Sequence, residues 1–111
     1  MTKIRNRHKG HEALLTETQH EIIRLEGNIN YTIFILITGK PKVMSYTLAM
    51  YDFLLPQNFI RVSKSCIVNV NFMEKLDADN KKIYLKDGSE IKISRRRWSE
   101  VLGICVKNCY L

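Results

Sequence analysis

The clearest structural signal in the chain is the segment Ile83-Tyr-Leu-Lys-Asp-Gly-Ser-Glu-Ile-Lys-Ile93. Residues that favour strands flank Asp87-Gly88 on both sides, which is typical of two strands joined by a tight turn. In the commonest two-residue turn both central residues have positive φ, which the Asp-Gly pair accepts. We therefore expect a β-hairpin in which Ile91 and Ile93 lie on the same face of the second strand.

Short apolar runs upstream of this hairpin predict further strands, separated by turn residues. In the first of them, Ile23 and Leu25 alternate with Ile22, Arg24 and Glu26, which predicts a half-buried strand with Ile23 and Leu25 on one buried face. The run at 31–37 is almost continuously apolar, so we expect it to be buried on both faces. The predicted strands before the hairpin cover residues 22–26, 31–37, 43–46, 59–62, 65–70 and 72–76.

Two segments have helical spacing. The first extends from Thr47, a residue that can cap a helix, to Leu55, and Pro56 ends it. The second begins after Ser94, and its apolar stripe consists of Trp98, Val101 or Leu102, and Cys105. The fold class predicted from the residues is mostly β, antiparallel, with two short helices.

The length of 111 residues allows one domain with a modest core. Residues 1–18 carry four cations before the first acid and show no clean periodicity, so we expect a flexible basic arm ahead of a domain over 19–111. No apolar run approaches the ~20 residues of a membrane span, and the first residues lack the apolar core of a signal peptide. These features predict a cytoplasmic protein without an integral membrane segment.

The formal net charge of +7 is unevenly distributed along the chain. Residues 1–11, 57–73 and 91–99 hold ten of the 18 Lys and Arg residues and none of the 11 Asp and Glu residues. The rest of the chain is mildly acidic. A localised basic surplus predicts binding to a polyanion such as nucleic acid.

The sequence offers no catalytic or metal-binding constellation. It has no nucleophile elbow, no phosphate-binding glycine-rich loop and no zinc-protease motif, so we expect a non-enzyme without a cofactor. Cys66, Cys105 and Cys109 form an odd set without an export signal, which favours free thiols. His8 and His11 complete no compact zinc signature with them, and we expect no metal site.

The cluster Arg95-Arg96-Arg97 is the most unusual local feature. If Ser94 caps the helix, three cations occupy a first turn that favours anions. A bound phosphate would resolve this conflict, because free N–H groups and guanidinium groups would converge on it. A solvated charged face, with the aliphatic stems packed on Trp98, is the alternative. The absence of any acid from residue 91 to 99 favours the anion site.

Two further segments offer polar groups for DNA. Between residues 57 and 73, polar side chains interleave with apolar ones and could form a row of donors, although any half-exposed strand alternates in this way. The amides of Asn28 and Asn30 could read base edges or make a turn, and a turn is favoured for Asn28. The polar residues that interleave with the apolar ones are Arg61, Ser63, Lys64, Ser65 and Asn69.

From about residue 20 to 107, the chain resembles a LytTR-type DNA-binding domain. The resemblance rests on the strand at 21–26 with Gly-Asn-Ile-Asn-Tyr after it, the helix after residues 45–48, and the block Phe59-Ile-Arg-Val-Ser-Lys-Ser-Cys-Ile-Val-Asn69. Leu85-Lys-Asp-Gly88 and Ile91-Lys-Ile-Ser-Arg95 complete it. The family implies an elongated β fold whose loops reach two successive major grooves and the minor groove between them.

The resemblance assigns DNA contacts to three places. The loop over residues 28–32 would enter one major groove, Lys64 would take the minor-groove and backbone position, and Arg95 would read the other major groove. A lysine in place of the amide that some members carry at position 64 suits phosphate, while Asn69 is expected to be structural. The full set of expected contact residues is Asn28, Asn30, Tyr31, Thr32, Arg61, Ser63, Lys64, Ser65, Lys92, Arg95, Arg96 and Arg97.

Relatives of this kind are often output domains of response regulators. Because only some 20 residues precede the matching segment, the resemblance implies a stand-alone bacterial transcription regulator without a receiver domain. It would bind double-stranded DNA at paired direct repeats, as a possible dimer on DNA and under the control of a possible regulatory protein partner. The alternative function is a basic module that binds an acidic protein or a membrane surface without DNA specificity.

Overall fold

The computed structural model describes residues 19–107. The predicted arm at 1–18, with His8 and His11, and Cys109 lie outside these residues. Within them, two single-turn 3-10 helices cover Gln19–Glu21 and Val70–Phe72. The strands and helices are, in order, β1 (Ile22–Gly27), β2 (Thr32–Leu36), β3 (Pro41–Met44), α1 (Leu48–Leu54), β4 (Phe59–Ser63), β5 (Cys66–Asn69), β6 (Met73–Asp77), β7 (Lys82–Leu85), β8 (Glu90–Lys92) and α2 (Trp98–Lys107).

The strands form two antiparallel sheets. The large sheet has the order β3-β2-β1-β5-β4, and the small sheet has the order β6-β7-β8. The described part of the molecule is elongated, with extents of 48 × 28 × 24 Å. The prediction of a mostly antiparallel β fold with two short helices is therefore confirmed. Neither helix of this part is long and apolar enough to cross a membrane.

Two cores lie on opposite faces of the large sheet. On one face, Leu48 and Tyr51 of α1 pack against residues such as Phe34 and Ile67, and we call this the helix-side core. On the other face, the small sheet and α2 bury the inter-sheet core, where α2 contributes Val101 and Cys105. The apolar stripe predicted for α2 is confirmed. The molecule thus has three layers, with the large sheet in the middle.

Residues 31–37 were expected to be buried on both faces, but the strand that is buried on both faces is β5. In β2, Phe34 is fully buried, whereas Ile33 and Ile35 are half-buried and Ile37 beyond the strand is 52% exposed. The reason is that the inter-sheet core receives residues from β1, β4 and β5 of the large sheet, and none from β2. The expectation for 31–37 was wrong because apolar runs do not reveal which part of a sheet a second layer covers.

The expectation that Ile23 and Leu25 share a face was also wrong. Leu25 lies in the helix-side core together with Ile22, whereas Ile23 lies in the inter-sheet core. A register shift between Ile22 and Arg24 in the pairing with β2 accounts for the change. Such a bulge adds one residue to a strand and reverses the alternation of its side chains.

The hairpin of β7 and β8 forms as predicted, but its turn differs. Gly88 has φ +91°, whereas Asp87 does not have positive φ. The N–H of Leu85 donates to Ser89 O and the N–H of Gly88 donates to Leu85 O, both at 3.0 Å. The loop therefore has three residues, 86–88, with the glycine in the left-handed position. The Asp87 carboxylate accepts from Ser89 N at 3.0 Å, which favours this longer turn.

The first predicted helix and the strand before it differ from the structure in detail. Thr47 occupies the position before α1, but its side chain makes no capping bond. The return strand begins at Pro41 rather than Val43. A proline is tolerated there because β3 is an edge strand.

Asn69 at the end of β5 is fully buried and structural, as expected from its place in the sequence motif. Its Nδ2 donates to Ile22 O at 2.8 Å. Its Oδ1 accepts from Asn71 N and from Asn58 Nδ2, both at 3.0 Å. One side chain thereby joins β1, β5 and the segments around β4.

Replacing Asn69 by Ala should lower the free energy of unfolding by about 1–3 kcal/mol, because three polar groups would lose their partner. Urea denaturation followed by circular dichroism measures this change. Asn71→Ala is the matched control, since Asn71 is exposed and, among residues 19–107, forms a hydrogen bond only through its backbone N–H. The control should change stability by less than about 0.5 kcal/mol. Equal effects of the two variants would contradict the role given to Asn69.

Candidate nucleic-acid interface

Three of the predicted contact segments are bound to one another at one end of the large sheet. We call them the Asn28 loop (residues 28–31), the Lys64 turn (63–65) and the arginine turn (95–97). At the end of β1, Gly27 N donates to Ser65 O at 2.8 Å, which joins the Asn28 loop to the Lys64 turn. Ser94 N donates to Val62 O at 2.9 Å, which places the arginine turn beside the end of β4. The Lys64 turn is therefore the common neighbour of the other two.

Two depressions lie beside the Lys64 turn, and Ser65 lines both. One, of about 350 Å³, also contains Asn28, Ile29 and Lys64. The other, of about 570 Å³, lies toward β8, where Lys92 and Ser94 line it. The large sheet thus ends in a surface of loops and shallow hollows that presents polar groups from segments distant in the sequence.

Hydrogen bonds close the Asn28 loop on itself. Asn28 N donates to Tyr31 O at 2.9 Å, and Asn28 Nδ2 donates to Tyr31 Oη at 3.0 Å. Asn28 Oδ1 accepts from Ile29 N at 2.6 Å. The turn role favoured for Asn28 is therefore observed. Asn30 is exposed, and within residues 19–107 its side chain has no hydrogen-bond partner.

Thr32 does not belong to the accessible surface, in contrast to the expectation from the sequence. It is fully buried, and its hydroxyl donates to Tyr46 O at 2.8 Å. Burial follows from its position as the first residue of β2, where its side chain turns toward the segment that leads into α1. A buried hydroxyl with a backbone partner cannot contact a duplex.

Arg61 holds the Lys64 turn. Its Nε donates to Ser63 O at 3.1 Å, and its Nη2 donates to Lys64 O at 2.8 Å. Its Nη1 lies 3.6 Å from Asp52 Oδ2 of α1, and its side chain is only 16% exposed. Most of the guanidinium is therefore committed to the protein. Lys64 itself is exposed, and its ammonium group has no partner among the described residues.

The sequence analysis placed the three arginines in the first turn of α2. In the structure they precede the helix and form a turn of their own. Ser94 caps their separate turn, because Arg97 N donates to Ser94 O at 3.1 Å and to Ser94 Oγ at 3.3 Å. The α-helix begins only at Trp98. Arg95 and Arg96 are exposed, and no described residue forms a hydrogen bond or ion pair with either guanidinium group, Glu100 included. Arg97 is half-buried.

Three acids near these segments, Glu26, Asp87 and Glu90, are paired with other cations. Arg24 lies 2.9 Å from Glu26 and 3.2 Å from Asp87, and Lys82 lies 3.2 Å from Glu90. Partial burial raises the pKa of Asp87, but the hydrogen bonds from Ser89 and the charge and bond of Arg24 together lower it below its usual range. Lys64, Arg95 and Arg96 form no ion pair with any acid of residues 19–107.

Sequence reasoning missed Arg24, which ties the turn of the β7–β8 hairpin to the large sheet. Its Nη1 also donates to Ser89 Oγ at 3.1 Å. The only local signal was the spacing of Arg24 and Glu26, which places both on one face of β1. Asp87 lies 63 residues from Arg24 in the sequence, so a local pattern cannot predict the ion pair between them.

Cys66 lines the larger depression without being a reactive thiol. Burial, reinforced by the negative charge of Glu26 and opposed by Arg24, raises its pKa to about 12. The thiol is therefore neutral at physiological pH and packs as a small apolar group in the inter-sheet core. Within residues 19–107, no group of three or more His, Cys, Asp or Glu side chains is placed to hold a metal ion.

The fold and this surface define a class of protein, a mostly β domain that presents free cations from loops at one end of a sheet. The family model "LytTr DNA-binding domain" matches residues 13–104, and the chain belongs to this family. It is thus a DNA-binding regulator domain, and DNA is its partner. This family is defined by DNA binding and not by catalysis.

A solved structure supports the same fold. It is described as the LytTr DNA-binding domain of a methyl-accepting/DNA response regulator from Bacillus cereus. The TM-score is 0.64 at 23% identity, and the match covers 75% of this chain and 78% of that one. No match is found among curated proteins.

Gly27 is the residue whose size allows the Asn28 loop to pack against α1. A Cβ at this position would lie 2.9 Å from Leu48 Cβ, which cannot withdraw without moving the helix. We expect Gly27→Ala to lower the free energy of unfolding by about 1–3 kcal/mol through overpacking. Thermal or urea denaturation measures the effect.

Gly103→Ala is the control for this substitution. A Cβ at Gly103, in the middle of α2, would have no atom of residues 19–107 within 4 Å apart from its chain neighbours and its own helix backbone. The change should stabilise the protein by up to about 1 kcal/mol, because alanine favours the helix. If both glycine substitutions shifted stability in the same direction, the close approach at Gly27 would not be limiting.

Proposed function

We propose that this domain is a sequence-specific transcription regulator that reads DNA with the Asn28 loop, the Lys64 turn and the arginine turn. The observation that carries the proposal is their attachment to one another through the Gly27–Ser65 and Ser94–Val62 bonds. A rigid arrangement of three loops presents donors in a constant relation to one another. Sequence-specific recognition of a duplex requires such a relation.

Each segment has the chemistry for a different part of the duplex. The Asn30 amide suits a base edge in one major groove, and Lys64 suits phosphate beside the minor groove. Arg95 suits guanine in the next major groove, where a guanidinium group can donate two bonds to one base.

The contact set becomes smaller than the one expected from the sequence. Thr32 is removed because it is buried, and Arg61 becomes a positioning residue for Lys64. The contacts we propose are Asn28, Asn30, Tyr31, Ser63, Lys64, Ser65, Lys92, Arg95, Arg96 and Arg97. We further propose that residues 1–18 add a basic arm to this surface, and that two copies bind paired direct repeats.

The first experiment is selection of genomic fragments with the purified protein, followed by footprinting. It reports the site sequence, the spacing of repeats and the number of copies bound. Competition with heparin and with random duplex then tests specificity. Displacement to the same extent by every polyanion would overturn the proposal and favour a general basic interaction module.

Arg95→Ala should weaken binding to the selected site by about 1–3 kcal/mol and relax the preference for the base pair that it reads. The physical reason is loss of paired hydrogen bonds to one base. Gel-shift titration against the site and its single-base variants measures both effects. Unchanged affinity together with unchanged preference would rule out Arg95 as a reading residue.

Lys64→Ala should instead weaken binding to all sequences by a similar factor, because phosphates are the same in every sequence. The slope of log affinity against log salt should decrease by about one. Lys40→Ala is the charge-matched control, since Lys40 is exposed in the β2–β3 turn, at the other end of β2 from the Asn28 loop. A salt slope that changed equally in both variants would show only an effect of net charge.

A further inference from the structure

A strongly exposed aliphatic side chain projects from the proposed DNA-binding surface. Ile29 is 85% exposed, more than any other large hydrophobic residue in the described part of the chain. A single exposed apolar residue is common on protein surfaces and needs no explanation by itself. The position of Ile29 is informative because its neighbours in the Asn28 loop are the polar residues Asn28 and Asn30.

The backbone holds Ile29 in place. Its N–H donates to Asn28 Oδ1 at 2.6 Å, and Asn28 is itself bound to Tyr31 through both its backbone N–H and its side chain. Gly27, just before the loop, is bound to Ser65 of the Lys64 turn. The loop therefore presents an aliphatic side chain with little freedom left to its backbone, so a contact there would require little further ordering.

Ile29 also lies beside the cation proposed to contact phosphate. Ile29 and Lys64 line the same depression of about 350 Å³, together with Arg61. A duplex phosphate held by Lys64 would bring the adjacent bases toward the Asn28 loop. An apolar group at this position would meet a base edge rather than the charged backbone.

We propose that Ile29 determines specificity by packing against the C5-methyl group of a thymine. This inference rests on the proposed function, because it takes the Asn28 loop to enter a major groove. In that groove the methyl group is the apolar feature that distinguishes thymine from the other bases, and aliphatic side chains recognise it by contact. The loop would then present an apolar contact at Ile29, with the polar side chains of Asn28 and Asn30 on either side of it.

Replacement of thymine by deoxyuridine tests the methyl contact directly. This change removes one methyl group and leaves base pairing and the hydrogen-bonding edges unchanged. Duplexes of the footprinted site, each carrying one such replacement, are titrated with the wild-type protein. One or two positions should show a loss of affinity of about three- to fivefold, the factor expected for one buried methyl group.

Two substitutions of Ile29 test whether this side chain causes the loss of affinity with deoxyuridine. Ile29→Ala should bind the thymine duplex about three- to fivefold more weakly than wild type and should lose no further affinity with deoxyuridine. Ile29→Val, which keeps a branched aliphatic group, should remain sensitive to deoxyuridine. Phe53→Ala is the control, because Phe53 is 84% exposed on α1 and lies outside the proposed contact set; it should behave as wild type.

Several results would overturn the inference while leaving the proposed function intact. They are a specific site at which no deoxyuridine replacement weakens wild-type binding, a site without thymine, or the same deoxyuridine loss in Ile29→Ala as in wild type. Failure of the proposed function is distinguishable, since it appears as a lack of sequence preference on unmodified duplexes in the same titrations. That result would overturn both.

Discussion

The rest of the structure depends on the burial of β5 on both of its faces. Its four residues are all buried, with Ile67 in the helix-side core and Cys66 and Val68 in the inter-sheet core. A strand in this position has no face left for polar groups, so the one polar side chain that it carries, Asn69, must find partners within the protein. By finding them, Asn69 joins β5 to β1 and to the segments around β4.

This buried strand also positions the surface that we propose binds DNA. The Lys64 turn immediately precedes β5, and Arg61 and Gly27 hold its carbonyl groups from two sides. Because the Lys64 turn neighbours both the Asn28 loop and the arginine turn, three segments drawn from the range 28–97 lie together at one end of the sheet. Two kinds of interaction stabilise this arrangement: burial of side chains fixes β5, and backbone hydrogen bonds fix the loops.

Patterns within a few residues were sufficient to predict most of the elements. The hairpin of β7 and β8, the helix before Pro56 and the stripe of α2 follow from periodicity and turn chemistry, which are local properties. Two of the exceptions have a common cause. The bulge at Ile23 and the half-buried face of β2 each depend on a neighbouring strand or layer, and a local pattern does not contain that information. The three-residue turn is a local feature, since the Asp87 carboxylate accepts from Ser89 N within the turn itself.

The sequence by itself determined where the cations are and which residues are apolar, and therefore the class of fold and the affinity for a polyanion. Only the tertiary structure decided which polar groups are free to bind. Arg24 and Arg61 are bound to acids and carbonyl groups of the protein, and Thr32 is buried. Lys64, Arg95 and Arg96 are exposed, and their charged groups have no partner within residues 19–107. The physical reason is that pairing and burial are set by contacts between distant segments, such as that of Arg24 with Asp87.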